Sequence, residues 1–557
     1  MDLDEVGGVV DSRSVSLARF YVFYALVIFI LLIFSARLFS LSIISGKHYQ
    51  DLAEGNRVQL IKIEPFRGKI LDRSGRVLAD SKRVFFLEKD GNLEEITQDQ
   101  VHDLESKGLA GENFVGELGK IRSEVERKYP LGAGLAHVLG YTSVVQKEEI
   151  EDGQRVDFGQ KVGRVGVEEV YDDFLKGEAG KKLIEVDAVG KKVSILGESA
   201  PTSGRSLQLT IDASVQKIVY EALAKQAEKV ATRRGTVIVS NPNSGEVLAL
   251  ASYPSFDPSD IGKSVADLDK PFFNRAISGV YAPGSVFKIV SALSGLESGK
   301  VTKDTEIEDV GQFELGGSTF ANWFFLKYGK TDGVVKMQKA IARSNDIYFY
   351  RVAERVGLWG IRDIAKKLGM GQKSGIDLPA EAVGLVPDEV WKRSAYGDDW
   401  FLGDTMHLGI GQGFVLTTPI QINSMTSFMA SGKLFKPYVV SKIEEAGFSQ
   451  VNLGSKIIAE NVVKLENWQL VRDGMRDACK AGGTGAPFFS VPYDVGCKTG
   501  TAERELGNPH AWFTAFAPYS DPQISVTVLI EEGGEGSAVA APVAKEVVDW
   551  WMANRNK

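Results

Sequence analysis

Ser285 and Lys288 stand three residues apart in Ser285-Val-Phe-Lys288. On a helix, positions i and i+3 share a face, so the two side chains can meet. A serine hydroxyl becomes a nucleophile when a neighbouring base takes its proton. A lysine serves as that base only when burial or a cationic neighbour lowers its pKa. The apolar flanks Val286, Phe287, Ile289 and Val290 argue for burial, and Pro283-Gly284 suits a turn into the helix start. Two further short motifs follow in order, Ser344-Asn345-Asp346 and Lys498-Thr499-Gly500. Each tripeptide alone is a weak signal. Together, with the middle one a variant of Ser-Asp-Asn, they point to acyl transfer through a serine ester.

The roles follow from residue chemistry. Ser344 would relay a proton between Lys288 and a leaving amine, and Asp346 would hold Lys288 or a substrate amide. Ser, Asn and Asp are also good N-caps, so the same break can start the next helix. Lys498-Thr499-Gly500-Thr501 should form a strand lining the cleft, where Gly500 lets substrate backbone approach closely. Lys498 and Thr499 would bind a substrate carboxylate, and Lys498 could be the cationic neighbour of Lys288. The backbone N–H groups of Ser285 and Thr501 would form the oxyanion hole. No Gly-x-Ser-x-Gly elbow is present, which disfavours an α/β-hydrolase. Gly409-Ile-Gly-Gln-Gly413 lacks the βαβ context of a nucleotide fingerprint.

The elements that must hold these residues can be read in outline. The chain has 557 residues, 44% hydrophobic and 25% charged. That is an ordinary globular composition. A net charge of -8 argues against a nucleic-acid partner. Phe20 to Ala36 is uncharged between Arg19 and Arg37, with an apolar continuation to Ile44. We read residues 20–44 as an uncleaved transmembrane anchor behind a tail, 1–19. Arg67 to Ala79 reads as a β-hairpin around Ser74-Gly75, and 183–196 as a strand pair turning at Gly190. Residues 88–126, rich in charge, are expected to form a small helical subdomain. Beyond Pro201, strands are expected at 207–211, 236–240, 247–251 and 524–530, with helices over 213–231 and 542–552. The strands come as hairpins, so the sheet should be mainly antiparallel.

The two cysteines, Cys479 and Cys497, are expected to be buried thiols. A single disulfide is the alternative if this part lies outside the cytoplasm. The five histidines, at 48, 102, 137, 407 and 510, show no metal-ligand spacing.

The chain resembles the class B penicillin-binding proteins, membrane-anchored peptidoglycan transpeptidases. The resemblance is carried by RGKILDRSGRVLA (67–79), GRVGVEEVYDDFL (163–175), SYPSFDP (252–258), NRAISGVYAPGSVFK (274–288), GIDLPAE (375–381), GIGQGFVLTTPIQ (409–421) and CKTGTAE (497–503). Asp346 and Gly411-Gln412-Gly413 resemble the elongation branch, penicillin-binding protein 2; division-type enzymes usually carry Asn in place of Asp346.

The resemblance implies an α/β multidomain fold. The tail and anchor precede an elongated, mostly-β pedestal over 45–203 with a short head subdomain. A transpeptidase domain, a serine β-lactamase-like antiparallel sheet flanked by helices, covers 204–557. It implies a D,D-transpeptidase that crosslinks stem peptides during elongation through an acyl-enzyme on Ser285. It further implies β-lactam sensitivity, a SEDS-family glycosyltransferase and rod-complex scaffold proteins as partners, and a cytoplasmic N-terminus with the catalytic part outside. No cofactor is expected. Some relatives bind zinc near the site; no Cys or His lies between Lys288 and Ser344, so no metal is expected either. Rival readings are a division-type transpeptidase, a D,D-carboxypeptidase or β-lactamase, and a non-catalytic scaffold or antibiotic sensor.

Overall fold

The computed structural model describes residues 17–48, 57–112, 115–146, 148–149, 160–186, 192–444 and 450–555. Most of the expected tail and the expected turn at Gly190 lie outside the described residues.

The apolar segment forms helix α1 (Leu17–Phe39), continued by a wider turn over Ser40–Ile44. No part of the stretch Leu17–Ile44 is buried against protein. Its 28 residues, at 1.5 Å each, reach about 42 Å, more than the ~30 Å hydrocarbon core of a bilayer. Arg37 sits in its last turn, where a long cation can reach a headgroup.

Past the anchor come β1 (Val58–Ile63), β2 (Ile70–Leu71), β3 (Val77–Lys89) and β4 (Asn92–Ile96). Helix α2 (Gln98–Ser106), β5 (Gly119–Lys128), β6 (Gly180–Val186) and β7 (Lys192–Ser199) follow. The chain divides into two compact units. The smaller comprises residues 1–64, 84–124 and 179–201. Within it, β1, β6 and β7 form an antiparallel sheet, with Leu60 opposite Leu183 and Ile184 opposite Ile195.

The helical subdomain expected over 88–126 is instead mostly strand, with α2 its one regular helix among the described residues. β4 pairs with the end of β3, Phe85 opposite Ile96. A small core of Ile96, Val101, Ala110 and Ile121 closes it. In β5 the side chains alternate, burying Ile121 while its charged neighbours face water, a period-2 pattern that the dense charge obscures.

The larger unit comprises 65–83, 125–178 and 202–557. The expected hairpin forms, with Ile70 opposite Ala79. Asp72 Oδ1 organises its turn by accepting from the N–H groups of Ser74 and Arg76. Strand β8 (Leu207–Leu209) runs parallel to β2, Leu207 opposite Ile70. Two of the quoted motifs meet here. Arg67 Nε lies 2.5 Å and Arg127 Nε 2.8 Å from the Glu168 carboxylate, and Arg67 Nη1 lies 2.7 Å from Asp172. Burial opposes ionisation of Glu168, but Arg127 and Arg67 outweigh it and hold its pKa below the usual range.

The site rests on a five-stranded antiparallel sheet. It is built from β9 (Gly235–Ser240), β10 (Val247–Tyr253) and three late strands: β14 (Gly496–Ala502), β15 (His510–Ala517) and β16 (Ile524–Ile530). Their order is β10-β9-β16-β15-β14, which leaves β14 at an edge. On one face, α3 (Ala213–Ala227) and the closing helix α10 (Gly536–Asn554) bury Val215, Val219, Leu223, Val543 and Val547 against Phe513, Ala515 and Val528. The other face packs Trp512, Phe516 and Leu529 into a core with Val286, Phe287, Ile289, Met425 and Phe428. Met425 and Phe428 come from α8 (Pro419–Ser431), which starts with a capping box between Thr418 and Gln421.

Candidate active site

Ser285 lies in a single 3₁₀ turn, Gly284–Phe287, that runs directly into α4 (Lys288–Glu297). Every residue of α4 from Lys288 to Leu296 is buried. Lys288 is therefore enclosed at 0% exposure. Gly284 has φ +56°, a conformation L side chains rarely adopt. A Cβ there would lie 2.7 Å from the carbonyl oxygen of Thr501. Gly284 N donates to Gly411 O at 2.8 Å, and Gly411 is itself at φ +74°. Trp512 Nε1 donates to Ala282 O at 3.0 Å, fixing the approach to the turn. The glycines thus let the Ser285 turn press against β14 at Thr501, bringing together the two backbones expected to form the oxyanion hole.

Ser344 caps the C-terminus of α6 (Met337–Arg343) in the left-handed conformation, φ +52° and ψ +39°. Asn345 N donates back to Ala340 O at 2.9 Å, the closing bond of a Schellman-type cap. Asn345 then caps α7 (Asp346–Lys367), its Oδ1 accepting from Tyr348 N at 2.9 Å. The motif is a tight helix-to-helix corner. The N-cap is Asn345, and Ser344 is turned toward the lysines.

Lys288 Nζ donates to Asp346 Oδ1 at 2.6 Å, to Ser344 O at 2.7 Å and to Ser344 Oγ at 3.3 Å. Lys498 Nζ donates to the same Ser344 Oγ at 2.7 Å and to Thr499 O at 3.1 Å. Burial lowers the pKa of Lys288, and Asp346 works against that. Lys498 is pushed well below 10.5, first by burial and then by the Lys288 charge. Asp346 thus favours the protonated form of Lys288, while the Lys288 charge disfavours that of Lys498. Ser285 is partly exposed, and among the described residues its hydroxyl makes no hydrogen bond. The bond expected between Ser285 Oγ and Lys288 is absent in this resting arrangement, because the ammonium is turned to Ser344 and Asp346. Catalytic hydrogen bonds commonly tighten only once substrate is bound.

β14 carries Lys498, Thr499, Gly500 and Thr501 as expected. Gly500 is needed for packing as well as access: a Cβ would lie 2.9 Å from Trp512 Cβ and 3.1 Å from Val286. Thr499 Oγ1 donates to Thr484 Oγ1 at 2.9 Å. Gln412 Nε2 approaches Thr501 O at 3.5 Å, so Gly411-Gln412 lines the same turn.

The expected buried thiols are a correction. Cys479, which follows α9 (Leu465–Ala478), forms a disulfide with Cys497 in β14, their Cα atoms 5.8 Å apart. The bond sits next to Lys498. Two cysteines 18 residues apart carry no sequence sign that a helix end and a sheet edge will bring them together.

Four other residues went unassigned in the sequence reading: Asp309, Asn322, Asp332 and the amide of Asn345. They form a buried polar cluster behind Asp346. Only Asn345, inside a motif, carried any signal.

The family model for the penicillin binding protein transpeptidase domain matches residues 235–549, which include every one of these motifs. This chain belongs to the penicillin-binding protein transpeptidase family. The penicillin-binding protein dimerisation domain matches residues 93–209. The chain is similar to the peptidoglycan D,D-transpeptidase MrdA of Haemophilus influenzae, 30% identical over 93% of this chain and 89% of the relative. Among solved structures it resembles the penicillin-binding protein 2 of Helicobacter pylori, in complex with MreC. There the TM-score is 0.74 at 28% identity, covering 89% of this chain and 99% of that one. It also resembles a chain of a peptidoglycan synthase complex coordinating polymerization and crosslinking. That match has a TM-score of 0.75 at 28% identity, over 97% of this chain and 98% of that one.

Proposed function

We propose that Ser285 carries the acyl group and that Lys288, Ser344 and Lys498 move its proton. The chain is a peptidoglycan D,D-transpeptidase of the elongation type. The observation that carries the proposed chemistry is the convergence of Lys288 and Lys498 on Ser344 Oγ, beside the Ser285 turn.

Resting Lys288 holds its proton against Asp346. With Lys498 in its neutral form, passing that proton to it through Ser344 Oγ frees the Lys288 amine. It then takes the Ser285 proton as Oγ attacks the carbonyl of the penultimate D-alanine of a stem peptide. The N–H groups of Ser285 and Thr501 stabilise the oxyanion. The C–N bond breaks, and the terminal D-alanine leaves with the proton returned through Ser344. An acceptor amine attacks the ester and gives up a proton by the same route; the C–O bond to Ser285 breaks, Oγ takes that proton back from Lys288, and the crosslink is released. Thr499 and the protonated form of Lys498 bind the substrate carboxylate, and Gly500 leaves room for its backbone on the open edge of β14. β-Lactams acylate Ser285 in the same geometry.

The helix Leu17–Ile44 supports a single-pass anchor. The disulfide beside Lys498 supports an extracytoplasmic catalytic part and hence a cytoplasmic N-terminus, because disulfides persist in oxidising compartments. The complexes of relatives with MreC and within a synthase support a rod-complex scaffold protein and a SEDS-family glycosyltransferase as partners. We retain 45–203 as the pedestal and 204–557 as the transpeptidase domain.

The test is mass spectrometry of the purified protein after incubation with a fluorescent penicillin. A stable adduct on Ser285, absent in Ser285→Ala, supports the scheme. No adduct on a folded protein rejects it, and rapid drug turnover would indicate a β-lactamase.

A further inference from the structure

Asp309 is 2% exposed, at the end of β11 (Ile307–Asp309), and forms no salt bridge among the described residues. A buried carboxylate of this kind needs its lone pairs filled, and here they are. Oδ1 accepts from Gly311 N at 2.9 Å. Oδ2 accepts from Asn322 Nδ2 at 2.7 Å, Asn345 Nδ2 at 2.9 Å and Asp332 N at 2.9 Å. The last comes from the residue just before β12 (Gly333–Val335), the strand paired with β11.

These bonds set the orientation of two side-chain amides. With its nitrogen spent on Asp309, Asn322 presents Oδ1 to Asp346 N at 3.1 Å. The next residue, Trp323, opens α5 (Trp323–Tyr328), and its N–H donates to Asp346 Oδ2 at 2.8 Å. Asn345, held the same way, caps α7 with its oxygen. Asp346 is therefore gripped at its N–H and at Oδ2, leaving Oδ1 for Lys288. Asn322 and Asn345 are both 0% exposed, so no water competes for these bonds. The other charged groups around the cluster are Asp332, which Arg343 neutralises at 2.8 Å, and the Lys288, Lys498 and Asp346 set itself.

We propose that Asp309 is a positioning residue for acylation: its carboxylate fixes the Asn322 and Asn345 amides, and through them the Asp346 oxygen that faces Lys288. The inference rests on the catalytic reading above. An Asn at 309 would turn its amide nitrogen either toward Gly311 N or toward the three donors at the Oδ2 position, and its one remaining oxygen is an uncharged, weaker acceptor. The Asn322 and Asn345 amides, and through them Asp346, would hold Lys288 less firmly.

The experiment measures the acylation rate at saturating penicillin, the apparent dissociation constant and the pH profile in the full chain. Asp309→Asn should slow acylation at least tenfold while changing the dissociation constant less than threefold. Because Asp346 supports the charged form of Lys288, the acid limb of the profile should move to lower pH. A purely structural role would reduce folded protein without moving that limb. The swap Asp309→Asn with Asn322→Asp restores a donor–acceptor pair and should recover most of the rate. Asn322→Ala leaves Asp309 intact and cuts one arm, so it is read if Asp309→Asn does not fold; it too should slow acylation and shift the limb. Wild-type rate and pH profile in either folded single variant overturns the inference. Failure of wild-type protein to form a Ser285 adduct would instead overturn the catalytic reading.

Discussion

Lys288 and Lys498 share one hydroxyl, Ser344 Oγ, at 3.3 and 2.7 Å, yet among the described residues only Lys288 also meets a carboxylate. Two buried ammonium groups around one hydroxyl repel, and the Lys288 charge adds to burial in lowering the pKa of Lys498. Asp346 works the other way at Lys288 and favours the proton there. The asymmetry gives Ser344 a direction of transfer, from the ion-paired lysine to the one without a carboxylate contact among the described residues.

Acylation should therefore require neutral Lys498. Its pKa lies well below 10.5, so the neutral fraction grows as pH rises through that lowered value. The penicillin acylation rate should rise with pH and then level. Lys498→Arg, charged at every accessible pH, should lower it by about 10²-fold or more. Stability follows the same sign. Unfolded Lys498 binds a proton that the folded residue refuses, so stability falls as pH drops from 10.5 toward the folded value and flattens below it. A rate that is flat with pH in the wild type would exclude this role.

Asp346→Asn removes the charge that holds the Lys288 proton. Lys288, already lowered by burial, should fall further, and the acid limb of acylation should shift to lower pH. The maximal rate should drop roughly tenfold, since Asn cannot serve both Trp323 N and Lys288 with charge-assisted bonds. Stopped-flow acylation across pH separates the two effects. A profile shifted toward alkali would contradict the assignment.

The Cys479–Cys497 bond ties the end of α9 to the strand bearing Lys498. Closing a loop of 18 residues is worth about 3 kcal/mol in the chain-entropy account. Replacing both cysteines by Ala should lower the melting temperature by several degrees. Acylation should slow as well, because the backbone next to Lys498 loses its anchor. Calorimetry with and without reductant tests the first point; equal melting temperatures would mean the bond does not form.

Much of the site was legible because its chemistry demands particular residue types. Ser285 and Lys288 were readable as a pair from spacing and apolar flanks, β14 from its Lys498-Thr499-Gly500 motif, and β16 from its alternating apolar run. What was not legible depends on distant partners. Asp309 meets Asn345 across 36 residues and Asn322 across 13, and no local pattern announces either contact. The left-handed Ser344 was hidden because such a corner usually selects Gly or Asn. The strands within 84–124 were missed because the buried Ile121 stands between Lys120 and Arg122, and the buried Ile96 follows Glu94-Glu95.

Gly284 is where backbone geometry and chemistry meet most closely. Gly284→Ala would place a methyl 2.7 Å from Thr501 O, at a φ of +56° that alanine disfavours. The neighbouring turn cannot yield easily, because Gly411 O accepts from Gly284 N and Trp512 holds Ala282. The strain should be relieved by moving the Ser285 turn away from β14, which widens the oxyanion hole. Losing one such donor costs about 10²–10³ in rate. Gly284→Ala should fold, keep measurable noncovalent affinity for penicillin and acylate at least 10²-fold more slowly. Gly299, also at positive φ but with open space around its Cβ position, is the control. Gly299→Ala should acylate at the wild-type rate. Equal rates for the two variants would show that contact with Thr501 does not set the position of Ser285.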